Sequence, residues 1–335
     1  MNTTTWYRRL LYVTTIICLC VIVLGAWVRL TDAGLGCPDW PGCYGRIVLP
    51  ANQDVREAIQ QAYPDRPLDA GAAWREMIHR YLASMLGLCI IGIAALAWRN
   101  RHRTGQPVKL PLVLVALVIF QGLLGMWTVT LLLKPLIVMA HLLGGLSTLA
   151  LLFWLVLTER RMPASGRWQR VAAVPAAAAI AVLLGQISLG GWTSSNYAAL
   201  ACPDLPTCMG QWWPRGMDFS EAFVMWRGLG VNYEFGVLES EARVAIHFTH
   251  RLGALVAFLV LLGAALHYLR RARGNRRLGQ AAGLVIAAVS LQVLLGLAVV
   301  WFGLPLAIAV AHNGVAALLL LAAINLYHAA SRQPG

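Results

Sequence analysis

Five of the eight histidines, His79, His141, His247, His250 and His312, fall in otherwise apolar stretches, while His102, His267 and His328 lie at the basic ends of such stretches. An ionisable side chain inside an apolar span is costly and marks a site by default. His79 and His141 are 62 residues apart, and so are His250 and His312. Two imidazoles on different helices suit axial ligation of a haem iron from both faces. A tetrahedral zinc set would need Cys or carboxylate companions, and none accompanies these histidines in the required arrangement. A lone histidine in a membrane helix usually bonds to a neighbouring helix. Four duplicated in register favour the iron reading.

The two pairs differ beside the first ligand. Glu76-x-x-His79-Arg80 corresponds to His247-x-x-His250-Arg251, and residues three apart share a helix face. A carboxylate near a haem edge can take a proton from water or substrate. If one half does chemistry and the other transfers electrons, this asymmetry places the chemistry in the Glu76 half. The competing reading puts Glu76 among headgroups, paired only with Arg75 or Arg80. Arg80 and Arg251 are candidate partners for haem propionates, since guanidinium pairs well with carboxylate; an anchor at the helix end is the alternative.

Cys37/Cys43 and Cys202/Cys208 share the frame Cys-Pro-Asp-x-Pro-x-Cys. Three readings stand: a structural clamp, a redox pair exchanging with another thiol protein, or a metal site. Cys18, Cys20 and Cys89 read as packing residues within helices.

The elements that position these groups follow from composition. Of 335 residues, 59% are hydrophobic and 12% charged, against about 25% charged in an ordinary soluble domain. That excludes a soluble globule, a disordered chain and a nucleic-acid binder. Eight segments are apolar enough to span a bilayer, at about 10–28, 77–98, 110–133, 136–157, 171–192, 244–269, 278–302 and 304–327. The first is too long to read as a removable signal peptide. With eight spans, one side of the membrane holds 16 Lys+Arg and one acid, the other 11 basic and 13 acidic residues. Short basic loops stay cytoplasmic, so both termini are expected there and the long loops outside. The four candidate iron ligands then lie at one depth near the outer surface.

The chain repeats itself. The stretch from Gly25 to Cys43 recurs from Gly190 to Cys208, and His79, Gln121 and His141 recur as His250, Gln292 and His312. Two parallel four-helix bundles, about 1–165 and 166–335, follow, related by a pseudo-twofold along the membrane normal. A fainter echo, Gln121-x-x-Leu-Gly125 against Gln186-x-x-Leu-Gly190, with fragments at Leu24-Gly25 and Gln292-x-x-Leu-Gly296, reads either as close helix packing or as room for a flat ligand. Amphipathic stretches at 55–63 and 219–226, with Trp40, Trp212, Trp213 and Trp226, read as interfacial anchors or as lids over the haem sites.

The run from Gly25 through Leu30-Thr31-Asp32-Ala33-Gly34-Leu35-Gly36-Cys37-Pro38-Asp39-Trp40-Pro41, with Glu76-x-x-His79-Arg80 and the outer histidines 141, 250 and 312, resembles the haem A synthase family over essentially the whole chain. The resemblance implies a bacterial inner-membrane enzyme that oxidises the C8 methyl of haem O to the formyl of haem A by two hydroxylations, in cytochrome oxidase assembly. It implies that His79 and His141 hold the substrate haem, that Glu76 is essential to its oxidation, and that His250 and His312 ligate a haem b. It also matches members carrying a cysteine pair in each half, Cys37–Cys43 and Cys202–Cys208. The farnesyltransferase that makes haem O is a fitting neighbour, since its product is insoluble; a homo-oligomer is compatible, and the electron acceptor is not identified. A di-haem b-type electron carrier and a haem transporter or chaperone are the competing readings; neither gives Glu76 a chemical task.

Overall fold

The structure is a computed structural model and describes residues 3–50, 52–64, 66–159 and 171–332. Ten α-helices follow in order: α1 (Thr3–Leu30), α2 (Gln53–Ala62), α3 (Ala70–Arg99), α4 (Lys109–Thr130), α5 (Pro135–Glu159), α6 (Val174–Ser195), α7 (Phe219–Ala222), α8 (Ser240–Arg271), α9 (Arg276–Trp301) and α10 (Leu306–Ser331). Among the described residues eight of them, all but α2 and α7, are long and apolar enough to cross a membrane. The chain is an all-helical, multi-pass membrane protein.

The eight expected spans are present, but several helices outrun their apolar windows. Hydropathy marks only the length matched to hydrocarbon, whereas a helix continues until its end groups find partners. Thus α3 starts at Ala70 rather than near 77, because Asp69 caps it, its carboxylate accepting from the Gly71 and Ala72 amides at 2.8 and 3.0 Å. The opposite error occurs at α4, expected to reach 133 but ending at Thr130. Leu132 and Leu133 turn left-handed at φ 52° and 58°, and the Leu133 amide returns to the Thr128 carbonyl at 2.8 Å. This closure normally uses glycine, so two leucines conceal it.

The same stop recurs at the end of each helix that precedes a histidine helix. Ala33 bonds to Val28 at 3.0 Å, Ala198 to Thr193 at 3.0 Å, and Leu304 to Val299 at 2.7 Å. In all four cases the acceptor lies three residues, and the donor eight, beyond the Gly of the Leu-Gly echo. The faint repeat is therefore a fourfold one, in which each helix ends at a fixed distance from its glycine.

Two compact units result, Met1–Thr148 with Val224–Val237, and Leu149–Phe223 with Leu238–Gly335. The expected boundary at 165/166, and the basic residues 160–170, lie outside the described residues. Helices pack through small residues, Ala94 and Ala97 on α3, Ala176 and Ala179 on α6, Ala264 and Ala265 on α8; in lipid, close van der Waals contact rather than water expulsion drives that association. Leucines and isoleucines such as Ile16, Leu88, Leu255 and Leu294 face outward, as a hydrocarbon solvent requires. The stretch at 55–63 is helical to Ala62, within α2, with Tyr63 as its C-cap; the Asn52 cap accepts from the Asp54 amide. The stretch at 219–226 is helical only to Ala222. Beyond it, Trp226 belongs to the first unit, where the buried Lys134 ammonium sits 3.5 Å from its ring centroid and donates to the Gly228 carbonyl. That cation–π contact gives Trp226 a partner that neither the anchor nor the lid reading anticipated.

Candidate functional site

The four histidines of interest sit on α3, α5, α8 and α10, and each ring lies over a glycine of the preceding membrane helix. A Cβ placed at Gly25 would come within 3.0 Å of His79 Cε1, at Gly125 within 3.5 Å of His141 Cε1, at Gly190 within 3.2 Å of His250 Cε1, and at Gly296 within 3.1 Å of His312 Cε1. At each glycine of the faint Leu-Gly echo, helix packing brings in a histidine ring of the next helix. The glycine makes room for an imidazole. All four rings are half-buried. Each unit holds one pair, His79 with His141 in the first and His250 with His312 in the second.

Three of the four rings have a carboxamide partner four residues before the glycine, one helical turn along the same face. Gln186 Nε2 lies 3.0 Å from His250 Nδ1 and donates to the His250 carbonyl at 3.0 Å. Gln121, with its amide nitrogen toward the ring, reaches His141 Nδ1 at 2.8 Å and the His141 carbonyl at 3.1 Å, while its oxygen accepts from Gly145. Gln292 Nε2 approaches both ring nitrogens of His312, at 3.3 and 3.1 Å. Sequence reasoning found the Gln only as part of a repeat; its spacing to the glycine was the available signal that it faces the histidine.

Beside His79, Glu76 is buried (5% exposed) and paired with Arg80, as the competing reading also expected. Its Oε2 accepts the Cys37 amide at 2.9 Å, and its Oε1 accepts from Arg80. Arg80 also donates to the carbonyls of Asp39 (3.0 Å), Pro41 (3.2 Å) and Gly42. The second unit repeats this with other atoms. His247 Nδ1 accepts the Cys202 amide at 3.1 Å, and Arg251 donates to His247 Nε2 at 3.3 Å and to the carbonyls of Cys202 (2.5 Å), Asp204 (2.8 Å) and Thr207 (2.8 Å). Both guanidiniums are engaged as clasps on the loops.

The loops they clasp are disulfide-closed, Cys37–Cys43 and Cys202–Cys208. The shared aspartate explains the rest of the frame. Asp39 accepts the amides of Tyr44 and Gly45 at 2.6 and 2.7 Å, and Asp204 those of Met209 and Gly210 at 2.6 and 3.0 Å, with the Thr207 hydroxyl added. Tyr44-Gly45 and Met209-Gly210 both have positive φ, the requirement of a tight two-residue hairpin. Hydrogen bonding from Thr207 first, then from the Gly210 and Met209 amides, pulls the Asp204 carboxyl down to about 2. Behind each disulfide lies a small apolar cluster, Tyr44, Ile59 and Met77 in one unit, Val244 and Phe248 in the other.

Of the remaining cysteines, Cys18 is buried and Cys89 half-buried, as packing residues should be, but Cys20 is exposed on the outward face of α1. Among the described residues no three His, Cys, Asp or Glu gather as a metal set. The arrangement is two imidazoles per unit, each in a notch that a methyl group would fill, which fits a flat macrocycle ligated from both sides.

Residues 8–324 match the family described as cytochrome oxidase assembly protein. The chain is 46% identical to a haem A synthase of Shewanella oneidensis over 96% of its own length and 95% of that protein's. It is 30% identical to one of Sphingopyxis alaskensis, covering 97% and 92%, and 26% identical to one of Halalkalibacterium halodurans, covering 89% and 88%. With its histidine pairs, carboxylate and loops placed as above, the chain belongs to the cytochrome oxidase assembly protein family.

Proposed function

We propose that the chain is a haem A synthase that oxidises the C8 methyl of haem O to a formyl group, by two hydroxylations and loss of water from the resulting geminal diol. The observation that supports this reading is the pair of matching histidine sites, alike in glycine and loop but unlike at one position, where Glu76 in the first stands against His247 in the second. In this reading the substrate haem lies between His79 and His141. The Glu76 carboxylate is aimed by Cys37 and Arg80, with the Gly36 amide also directed at it, and it keeps lone-pair capacity for a water or substrate proton.

A haem b held by His250 and His312 supplies one-electron transfer when bound. His247, in place of a carboxylate, keeps the loop clasp without adding a negative charge. The Arg80 and Arg251 clasps hold each disulfide loop at the mouth of its site. We place the halves at about 1–165 and 166–335 as parallel four-helix bundles in a bacterial inner membrane, with both termini cytoplasmic and the long loops periplasmic, on the basis of the charge asymmetry of the loops. Haem O synthase is the neighbour that an insoluble substrate favours.

The test is expression of the chain with a source of haem O in a host that makes no haem A, followed by extraction and separation of pigments. Formyl haem is the expected product. Both sites filled with unchanged haem would establish the di-haem electron carrier instead, and loose pigment in both halves the transporter.

A further inference from the structure

The four histidine sites share the glycine and the helix stop but not the carboxamide. Four residues before the glycine stand Val21, Gln121, Gln186 and Gln292. At the first of these the consequence is visible: His79 Nδ1 is buried and has no hydrogen-bond partner. A second position goes with the first. Three residues after His141 and His250 come Gly144 and Gly253, and a Cβ at either would run into the Gln121 or Gln186 amide, at 1.6 and 2.4 Å from its terminal atoms. These glycines are the berths of the carboxamides. The equivalent after His79 is Leu82, which is not a glycine. After His312 it is Val315, and there Gln292 reaches the ring but no hydrogen bond to the His312 main chain is seen.

A metal-ligating histidine ordinarily has its other ring nitrogen held by a hydrogen bond, which fixes the ring and its tautomer. A glutamine carboxamide can meet either demand, giving N–H to a bare Nδ1 or, turned about its last bond, its oxygen to Nδ1–H. The oxygens of Gln186 and Gln292 are buried without partners, which leaves that choice open. Resting on the haem reading above, we propose that Gln121, Gln186 and Gln292 are positioning residues for the iron ligands, and that His79, beside Val21, is the one ligand left unheld so that haem enters and leaves the first half by its release. The second half, with both imidazoles held, keeps its haem. A substrate site must exchange one haem for another, and a resident relay must not.

The test is haem transfer from the purified full-length protein, loaded with protohaem in both halves, to apomyoglobin. Two phases are expected, a fast one lost in His79→Ala and a slow one lost in His312→Ala. Partners of this kind change metal affinity by roughly 10–100-fold. Gln186→Leu is therefore expected to speed the slow phase by about that factor and to shift the low-spin ferric EPR signal of the second haem, a signature that mere helix packing would not move. Val21→Gln combined with Leu82→Gly is expected to slow the fast phase similarly. If this double variant does not fold, Gln186→Leu and Gln292→Leu decide. Unchanged slow-phase rates and EPR signal in those two, or an unchanged fast phase in a folded double variant, overturn the proposal. Because protohaem transfer needs no oxidation, responsive phases without haem A formation would sink the enzyme reading alone, and failure to bind any haem would sink both.

Discussion

Glu76 accepts the backbone N–H of Cys37 at 2.9 Å, and the corresponding bond in the second unit, from Cys202, is accepted by an imidazole, His247, at 3.1 Å. The clasp between helix and disulfide loop therefore survives a change from carboxylate to imidazole. What does not survive is the negative charge. Holding the loop and the proton handling proposed for Glu76 are therefore separable by substitution.

Glu76→Gln keeps an acceptor for Cys37 and is expected to retain both haems while haem A formation falls by about 10²–10⁴, the usual range for a lost acid–base group. Glu76→Ala leaves the Cys37 amide unpaired and the Arg80 guanidinium without its counter-charge, and is expected to cost about 3–5 kcal/mol of stability as well. Haem A yield and thermal unfolding in detergent check the two effects. Full conversion by Glu76→Gln would remove the carboxylate from the chemistry.

The glycines beneath the imidazoles give a sharper steric prediction. Gly190→Ala puts a methyl 3.2 Å from His250 Cε1, and Gly25→Ala puts one 3.0 Å from His79 Cε1. Forcing a ring aside in a packed site costs about 1–3 kcal/mol, so each variant is expected to lose haem from its own half. Gly185→Ala and Gly122→Ala, which meet nothing within 4 Å, serve as controls and should retain full pigment. Equal haem content in Gly190→Ala and Gly185→Ala would show that the notch is not a fitted one.

How much of this was legible in the sequence depends on which force sets each feature. The eight spans are composition, and composition is printed in the chain. His79, His141, His250 and His312 stand out because an imidazole is expensive in an apolar run. The stop after Thr130 was hidden because leucines rather than glycines take the left-handed turn. The task of Arg80 was hidden because its partners are main-chain carbonyls 38 to 41 residues away in sequence, and every residue type carries a carbonyl. Gln121 was visible only as part of a repeat, since nothing in a single helix says which ring it will meet on the next.

The cysteine pairs close loops of equal length, a sequence separation of 6 in each, and a loop that short gains only about 2 kcal/mol from its cross-link. The Arg80 clasp, with three loop carbonyls and Glu76, holds the same loop independently. Cys37→Ser with Cys43→Ser is therefore expected to lower thermal stability modestly and leave haem A formation in place, whereas Arg80→Leu should lose product. Pigment analysis of the two variants separates the readings. Loss of product in the cysteine variant with haem retained would establish the redox role.

The second loop carries a built-in acid limit. An unfolded aspartate protonates at about pH 3.9, but Asp204 is held down to about 2, chiefly by the Thr207 hydroxyl and then by the Gly210 and Met209 amides. A depressed carboxyl stabilises the fold fully above the unfolded value and loses that contribution as pH falls through the folded one. The hairpin at Met209-Gly210 is thus expected to be firm down to about pH 4 and to loosen between there and about pH 2. Hydrogen exchange at the Met209 and Gly210 amides across that range, normalised for the intrinsic rate, reads it directly. Asp204→Asn should exchange faster at neutral pH and show no further loosening in acid; the same acid transition in that variant would place the titrating group elsewhere.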